Sequence, residues 1–273
     1  MSSFHFATSG IDTFLWLPPL AGFVLAFFSS MVGISGAFLL MPFQMSVLGY
    51  VAPSASATNL VFNLVAIPSG VWRYAHEGRM DWPLARIIAL GTLPGLLAGW
   101  WLRLHWLADP QTFKLFVGLV LAWLAFRLYR ELFFRAAQSA KATSTTSPNR
   151  AIFMMSLGIG VIGGAYGIGG GSLMAPVLVA VFGLSVHAVA GAALFGTFIT
   201  SVVGVALYQF LPTPTGAPAQ PDWLLGILFG LGGMAGMYLG ARTQKHVNQR
   251  ILKIGLAFVL TGLAAGYVIQ FFS

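Results

Sequence analysis

The 273-residue chain has no cysteine, which excludes disulfides, thiolate metal sites and thiol catalysis. It is nearly as poor in charge. Only 7% of its residues are Asp, Glu, Lys or Arg, against roughly 25% in soluble proteins. No polar stretch longer than about fifteen residues is present to build a domain outside a bilayer. No Lys or Arg precedes Arg73, so the first apolar run lacks the basic start of a signal peptide and reads as part of the mature fold. Near the middle of the apolar runs there is no Asp, Glu, Lys or Arg either, so no proton relay is legible. The five histidines are scattered, and no paired acids or Ser/His/Asp set is spaced for chemistry in lipid. The expectation is therefore no catalytic residue, no metal, no cofactor and no enzyme.

What is present is hydrocarbon. Hydrophobic residues make up 58% of the chain and the mean hydropathy is +0.84. Apolar runs fall at about 14–31, 37–50, 53–73, 83–104, 110–134, 151–168, 170–184, 187–210, 222–243 and 249–272. This predicts an all-α polytopic membrane protein. Two runs, 37–50 and 170–184, are too short to cross about 30 Å of hydrocarbon at 1.5 Å per residue. Each follows a glycine cluster and is predicted as a broken or re-entrant helix. The net charge of +8 resides in bases at the ends of runs, where the positive-inside bias explains it without a nucleic-acid partner. A Ser/Thr/Ala-rich stretch at 136–150 reads as a cytoplasmic linker between a first transmembrane repeat, 1–135, and a second, 151–273.

The two halves resemble each other. At an offset of 134, Gly33-Ile34-Ser35-Gly36 meets Gly167-Ile168-Gly169-Gly170, Pro42 meets Pro176 and Gly70 meets Gly204. At 141, Asp81-Trp82 meets Asp222-Trp223, and Gly91, Gly95 and Gly99 meet Gly232, Gly236 and Gly240. If each glycine-broken pair returns to its own side, three full helices follow it in each half. The repeats are then inverted, both termini are periplasmic, and only Arg103 and Lys114 of the bases fall on the outer face. Inverted repeats are a transporter signature.

Backbone may be interrupted in a bilayer only where protein or a cavity satisfies it, so the breaks are the expected binding site. Glycines admit a close ligand, and helix ends beyond them offer N–H groups to an anion. Gly33, Ser35 and Gly36 form the first break and Gly169, Gly170, Gly171 and Ser172 the second. Asn59 and Asn63 share one helix face, and Thr197 and Ser201 stand in the corresponding region of the second half. These eleven residues are the candidate substrate-binding set. Interhelical packing or hydrogen bonding is the competing role, and it is the expected one for the two GxxxGxxxG stripes. Gln44 and Tyr166 lie close to the breaks as weaker candidates.

The GxGGGS-x-x-x-P arrangement after an apolar run, its degenerate copy GISGAFLLMP, the Asn-bearing helix after Pro53 and the paired Asp-Trp helix starts resemble the sulfite exporter TauE/SafE family, the toluene sulfonate uptake permeases. The resemblance spans nearly the whole chain. It implies a carrier in the bacterial inner membrane for a small sulfur-containing anion such as sulfite, sulfoacetate or another organosulfonate, working by alternating access. An anion channel and a carrier of a non-sulfur organic anion are the alternatives. The partners implied are that anion, membrane lipid and a coupling ion, H+ or Na+; the sequence leaves the oligomeric state, a homodimer among the options, open.

Overall fold

The computed structural model describes residues 3–31, 35–134, 149–182, 184, 186–213, 219–243 and 247–272. The chain begins with a small feature that the hydropathy did not announce. Strands β1 (Phe4–Phe6) and β2 (Ile11–Thr13) pair antiparallel, with Phe6 opposite Ile11, and Gly10 turns the chain at φ +69°. Two three-residue strands are too short to register in a hydropathy window.

Helices α1 (Leu17–Met31), α2 (Gly36–Ser46), α3 (Pro53–Ala66), α4 (Pro68–His76), α5 (Trp82–His105) and α6 (Pro110–Phe134) complete the first half. In the second, α7 (Asn149–Tyr166), a 3₁₀ turn (Gly170–Leu173), α8 (Met174–Phe182), α9 (Val186–Phe210), α10 (Trp223–Thr243) and α11 (Gln249–Phe272) follow. The run expected at 53–73 is divided near Ile67, because Pro68 has no N–H to continue the helix. α5, α6, α9, α10 and α11 are each long and apolar enough to cross a membrane, and α7 with residues 170–179 makes a pair bent by 119°. α2, at eleven residues, is about 16 Å long, half of a hydrocarbon core. Of the expected linker, 136–148 lies outside the described residues, whereas Asn149 and Arg150 open α7. The protein is thus an all-α polytopic membrane protein with one added hairpin.

Both Asp-Trp pairs start helices by the same device. Leu84 donates its N–H to Asp81 Oδ1 and Leu225 its N–H to Asp222 Oδ1, each at 3.0 Å, as N-cap carboxylates accept from the first turn. Asp222 also accepts from Ser9 through N (3.1 Å) and Oγ (2.8 Å), which ties the hairpin to the start of α10.

Glycine stripes set how the helices pack. Gly232, Gly236 and Gly240 of α10 press in turn on Pro19, Phe23 and Phe27 of α1, where an added methyl would collide with backbone. The same order on both helices means that they run in one direction. Gly91, Gly95 and Gly99 of α5 meet Phe153, Leu157 and Val161 of α7 in the same manner. α3 runs with α10, since Gly226 meets Thr58 and Val61 while Gly230 meets Val65. α5 runs with α9, since Gly196 meets Ile88 and Gly204 meets Leu96. α3 and α9 oppose each other, because Leu60 contacts Gly204 while Asn63 bonds Ser201. α6 and α11 are also antiparallel, with Lys114 Nζ 3.3 Å from Gln270 Oε1 and Gly118 against Tyr267. Outward-facing apolar side chains such as Leu90, Phe126 and Phe258 are left to lipid.

Candidate functional site

The second break is shaped by two glycines that no other residue would replace without strain. Gly167 has φ +83° and Gly169 φ +74°, in the left-handed region that penalises a Cβ. These two residues swing the chain from the end of α7 into the 3₁₀ turn. They are also crowded. A methyl on Gly167 would strike Ser56 of α3, one on Gly169 would strike Thr197 of α9, one on Gly170 would strike Thr92 of α5, and one on Gly171 would strike Thr197 and the Ala193 carbonyl. The close packing that the sequence weighed against a binding role is present at these glycines.

Hydrogen bonds bring the two breaks together. Asn59 Nδ2 donates to the Ala37 carbonyl at 2.9 Å and to the Gly167 carbonyl at 3.0 Å. One amide therefore spans the first turn of α2 and the end of α7. Asn63 Nδ2, one turn further along α3, donates to the Ile168 carbonyl (3.0 Å) and to Ser201 Oγ (3.2 Å). Ser172 Oγ donates to the Ile168 carbonyl and lies 3.4 Å from Thr197 Oγ1. Gly170 N–H donates to Thr200 Oγ1 at 3.1 Å. In the first break, Ser35 caps α2 by accepting from Ala37 N–H, while Gly36 packs on Ala26 and Phe62. Gly33 lies outside the described residues. Thus Asn59, Asn63, Ser172, Thr197, Ser201 and the Gly169–Gly171 backbone form one buried cluster, and Ser35 and Gly36 reach it through Ala37.

The neighbours noted as weaker candidates belong to the same cluster. Tyr166 donates its hydroxyl to the Phe38 carbonyl at 3.0 Å, and Gln44 Nε2 is 3.4 Å from Asn59 Oδ1. Two acceptor oxygens, Gln44 Oε1 and Asn63 Oδ1, are buried without a hydrogen-bond partner among the described residues. The site therefore combines amide, hydroxyl and backbone N–H donors, engaged by the protein in this conformation, with two unfilled acceptors. Two contributors carried no sequence signal: Thr92, whose side chain packs on Gly170, and Arg103. Arg103, assigned to the outer side from sequence, lies toward the hairpin end and is fully buried there, because the loops after α2 and α5 close over it.

Charges beyond the membrane-crossing helices gather around the end of α4. Arg73 Nε and Arg79 Nη1 bond the two oxygens of Glu77 at 2.8 and 2.7 Å. Those bonds hold the Glu77 carboxyl below its ordinary range, and the same pairing raises Arg73.

A family model described as Sulfite exporter TauE/SafE matches residues 19–267. That span contains both breaks, both Asp-Trp caps and every residue of the cluster. No curated protein and no solved structure matches the chain.

Proposed function

Since the chain belongs to the sulfite exporter TauE/SafE family, whose members are membrane transporters rather than enzymes, we propose that it is a secondary carrier of a small sulfur-containing anion. Sulfite, sulfoacetate and other organosulfonates are the substrates in view, carried across the bacterial inner membrane by alternating access. The observation that carries the reading is Asn59, one buried amide joining the carbonyls of both helix breaks. A joint of this kind holds the protein closed, and its release uncovers donors aimed at an anion. Gly33, Ser35, Gly36, Asn59, Asn63, Gly169, Gly170, Gly171, Ser172, Thr197 and Ser201 are the proposed substrate contacts. Of the two coupling ions, the unfilled oxygens of Gln44 and Asn63 suit Na+, because a carboxamide oxygen can face a cation but is too weak a base to carry H+.

The proposed architecture is two inverted repeats, 1–135 and 151–273. Helix directions support it. α1 corresponds to α7, α3 to α9 and α5 to α10 by the sequence offsets, and in each pair the members point opposite ways in the bundle. The packed pairs also map onto themselves when the halves are exchanged: α1 on α10 becomes α7 on α5, and α3 on α10 becomes α9 on α5. With the bases of the α4–α5 region and of the α10 end placed in the cytoplasm, the hairpin and both termini are periplasmic. Single cysteines at Ser144, Thr243 and Ser273 test this in the cysteine-free background. The first two should react with an impermeant reagent only from the cytoplasm and the third only from outside. Labelling of Ser144 and Thr243 from opposite sides contradicts the inversion.

Binding is tested on the purified chain by thermal stabilisation with sulfite, sulfoacetate, methanesulfonate, acetate and chloride. Selective, saturable stabilisation by the sulfur anions is expected. Equal response to acetate or chloride removes the substrate assignment, favouring a carrier of other organic anions or a channel.

A further inference from the structure

Toward the hairpin end of the bundle, near the C-terminus of α5, the guanidinium of Arg103 is completely buried. Its Nε donates to Ser56 Oγ at 3.2 Å and Nη2 to the Val51 carbonyl at 2.6 Å; Nη1 donates to the Leu107 carbonyl. The Phe113 ring lies 3.6 Å beneath it. No acid pairs with it among the described residues. A buried cation matched only by dipoles is costly and calls for a counter-charge. A guanidinium has five N–H donors, and the three protein bonds leave two.

A second observation points to the sign of the missing group. Trp100 Nε1 and Tyr208 Oη are buried with no hydrogen-bond partner among the described residues. Trp100 sits one turn before Arg103 on α5, and its ring meets that of Tyr208 edge-on at 6.5 Å. The Tyr208 hydroxyl lies beside Ser56 and within electrostatic reach of Arg103, without a hydrogen bond of normal geometry to either. An indole N–H can only donate. A fixed cation with two donors to spare, and with the unpartnered Tyr208 hydroxyl within its reach, suits an oxyanion and repels a metal ion.

The cluster stands between an opening and the breaks. A cavity of about 420 Å³ between the hairpin and residues 47–52 is walled by Tyr50 and Val51, and the Val51 carbonyl is the one Arg103 holds. On the opposite side, Ser56 Oγ is 3.4 Å from the Ala165 carbonyl, in the last turn of α7 before Gly167.

We propose that Arg103, Ser56, Trp100 and Tyr208 form an anion-holding station between this cavity and the helix breaks, taking a sulfite or sulfonate headgroup that displaces the Val51 and Leu107 carbonyls from the guanidinium. The ligand class rests on the transport reading above. Two oxygens on one sulfur match the planar fork of arginine in a way that a lysine ammonium cannot reproduce.

The test is binding of sulfite and of methanesulfonate to the purified full chain, by calorimetry and thermal shift, in wild type and three variants. Arg103→Lys should weaken binding at least tenfold. Tyr208→Phe and Trp100→Phe should each weaken it about tenfold, yet Tyr208→Phe should melt at the same temperature or higher, since its hydroxyl has no bond to lose. A purely structural cluster gives the reverse, with lower melting temperatures and unchanged affinity, and overturns the station. So does a wild type that binds neither anion. Should Arg103→Lys fail to fold, Tyr208→Phe decides the matter alone. Binding that depends on Tyr208 in a protein that moves no sulfite across vesicles would keep the station and remove the carrier.

Discussion

Replacing Asn59 by leucine, which keeps the number and branching of side-chain heavy atoms but sets two methyl groups where the amide O and NH2 stood, should loosen the joint between the two breaks. The variant strips the Ala37 and Gly167 carbonyls of their shared donor. An orphaned buried carbonyl costs about 1–3 kcal/mol in soluble proteins, but hydrogen bonds within a bilayer average only about 0.6 kcal/mol and reach about 1.7. Two bonds at the bilayer scale give about 1–3 kcal/mol. That loss falls on the closed conformation alone, so the population of the open one should rise about 5- to 150-fold. The weak contact from Gln44 Nε2 at 3.4 Å adds little. Ser201→Cys provides the readout, because Ser201 is completely buried and lies beside the second break. Its labelling by a water-soluble maleimide should accelerate by that factor in Asn59→Leu relative to the same reporter with Asn59 intact, so the reporter's own cost cancels. Melting should shift downward in parallel. Equal labelling rates and equal melting temperatures would mean that Asn59 does not hold the breaks closed.

Other consequences follow from packing and capping. Gly95→Ala drives a methyl into the Leu157 carbonyl and the Gly160 backbone and should cost about 1–3 kcal/mol by overpacking, whereas Gly262→Ala, with nothing within 4 Å of the new carbon, should be neutral in the same unfolding assay. Asp81→Ala should lose about 1 kcal/mol of helix capping. Asp222→Ala should lose more and expose the hairpin to limited proteolysis, because Asp222 also holds Ser9 by two bonds; equal losses from the two would show that the hairpin contact contributes nothing.

Much of the architecture was legible because it is written in long apolar runs and in glycine and proline. The helix ends at Gly167, the Asp81 and Asp222 caps and the two packing stripes all come from residues whose backbone or capping preference is strong and local. The cluster of Asn59 and Asn63 with the second break was legible only through the repeat, since Asn59 and Gly167 are 108 positions apart. Arg103 was not legible at all. A base at the end of an apolar run looks like an interfacial flank, and nothing in its own neighbourhood shows that Val51 and Ser56 will enclose it. The same tertiary packing decides what Gly170→Ala would do: its methyl lies 2.6 Å from Thr92 Cβ, so the substitution should cost stability whether or not Gly170 meets a ligand.

The carrier assignment is tested most directly by counterflow of radiolabelled sulfite in proteoliposomes containing the purified chain. A carrier that alternates access should show uptake that saturates with outside sulfite and accelerates several-fold when unlabelled sulfite is loaded inside, since the loaded return step is faster than the empty one. Uptake that rises linearly with concentration and ignores the internal sulfite would contradict alternating access and leave a channel in its place.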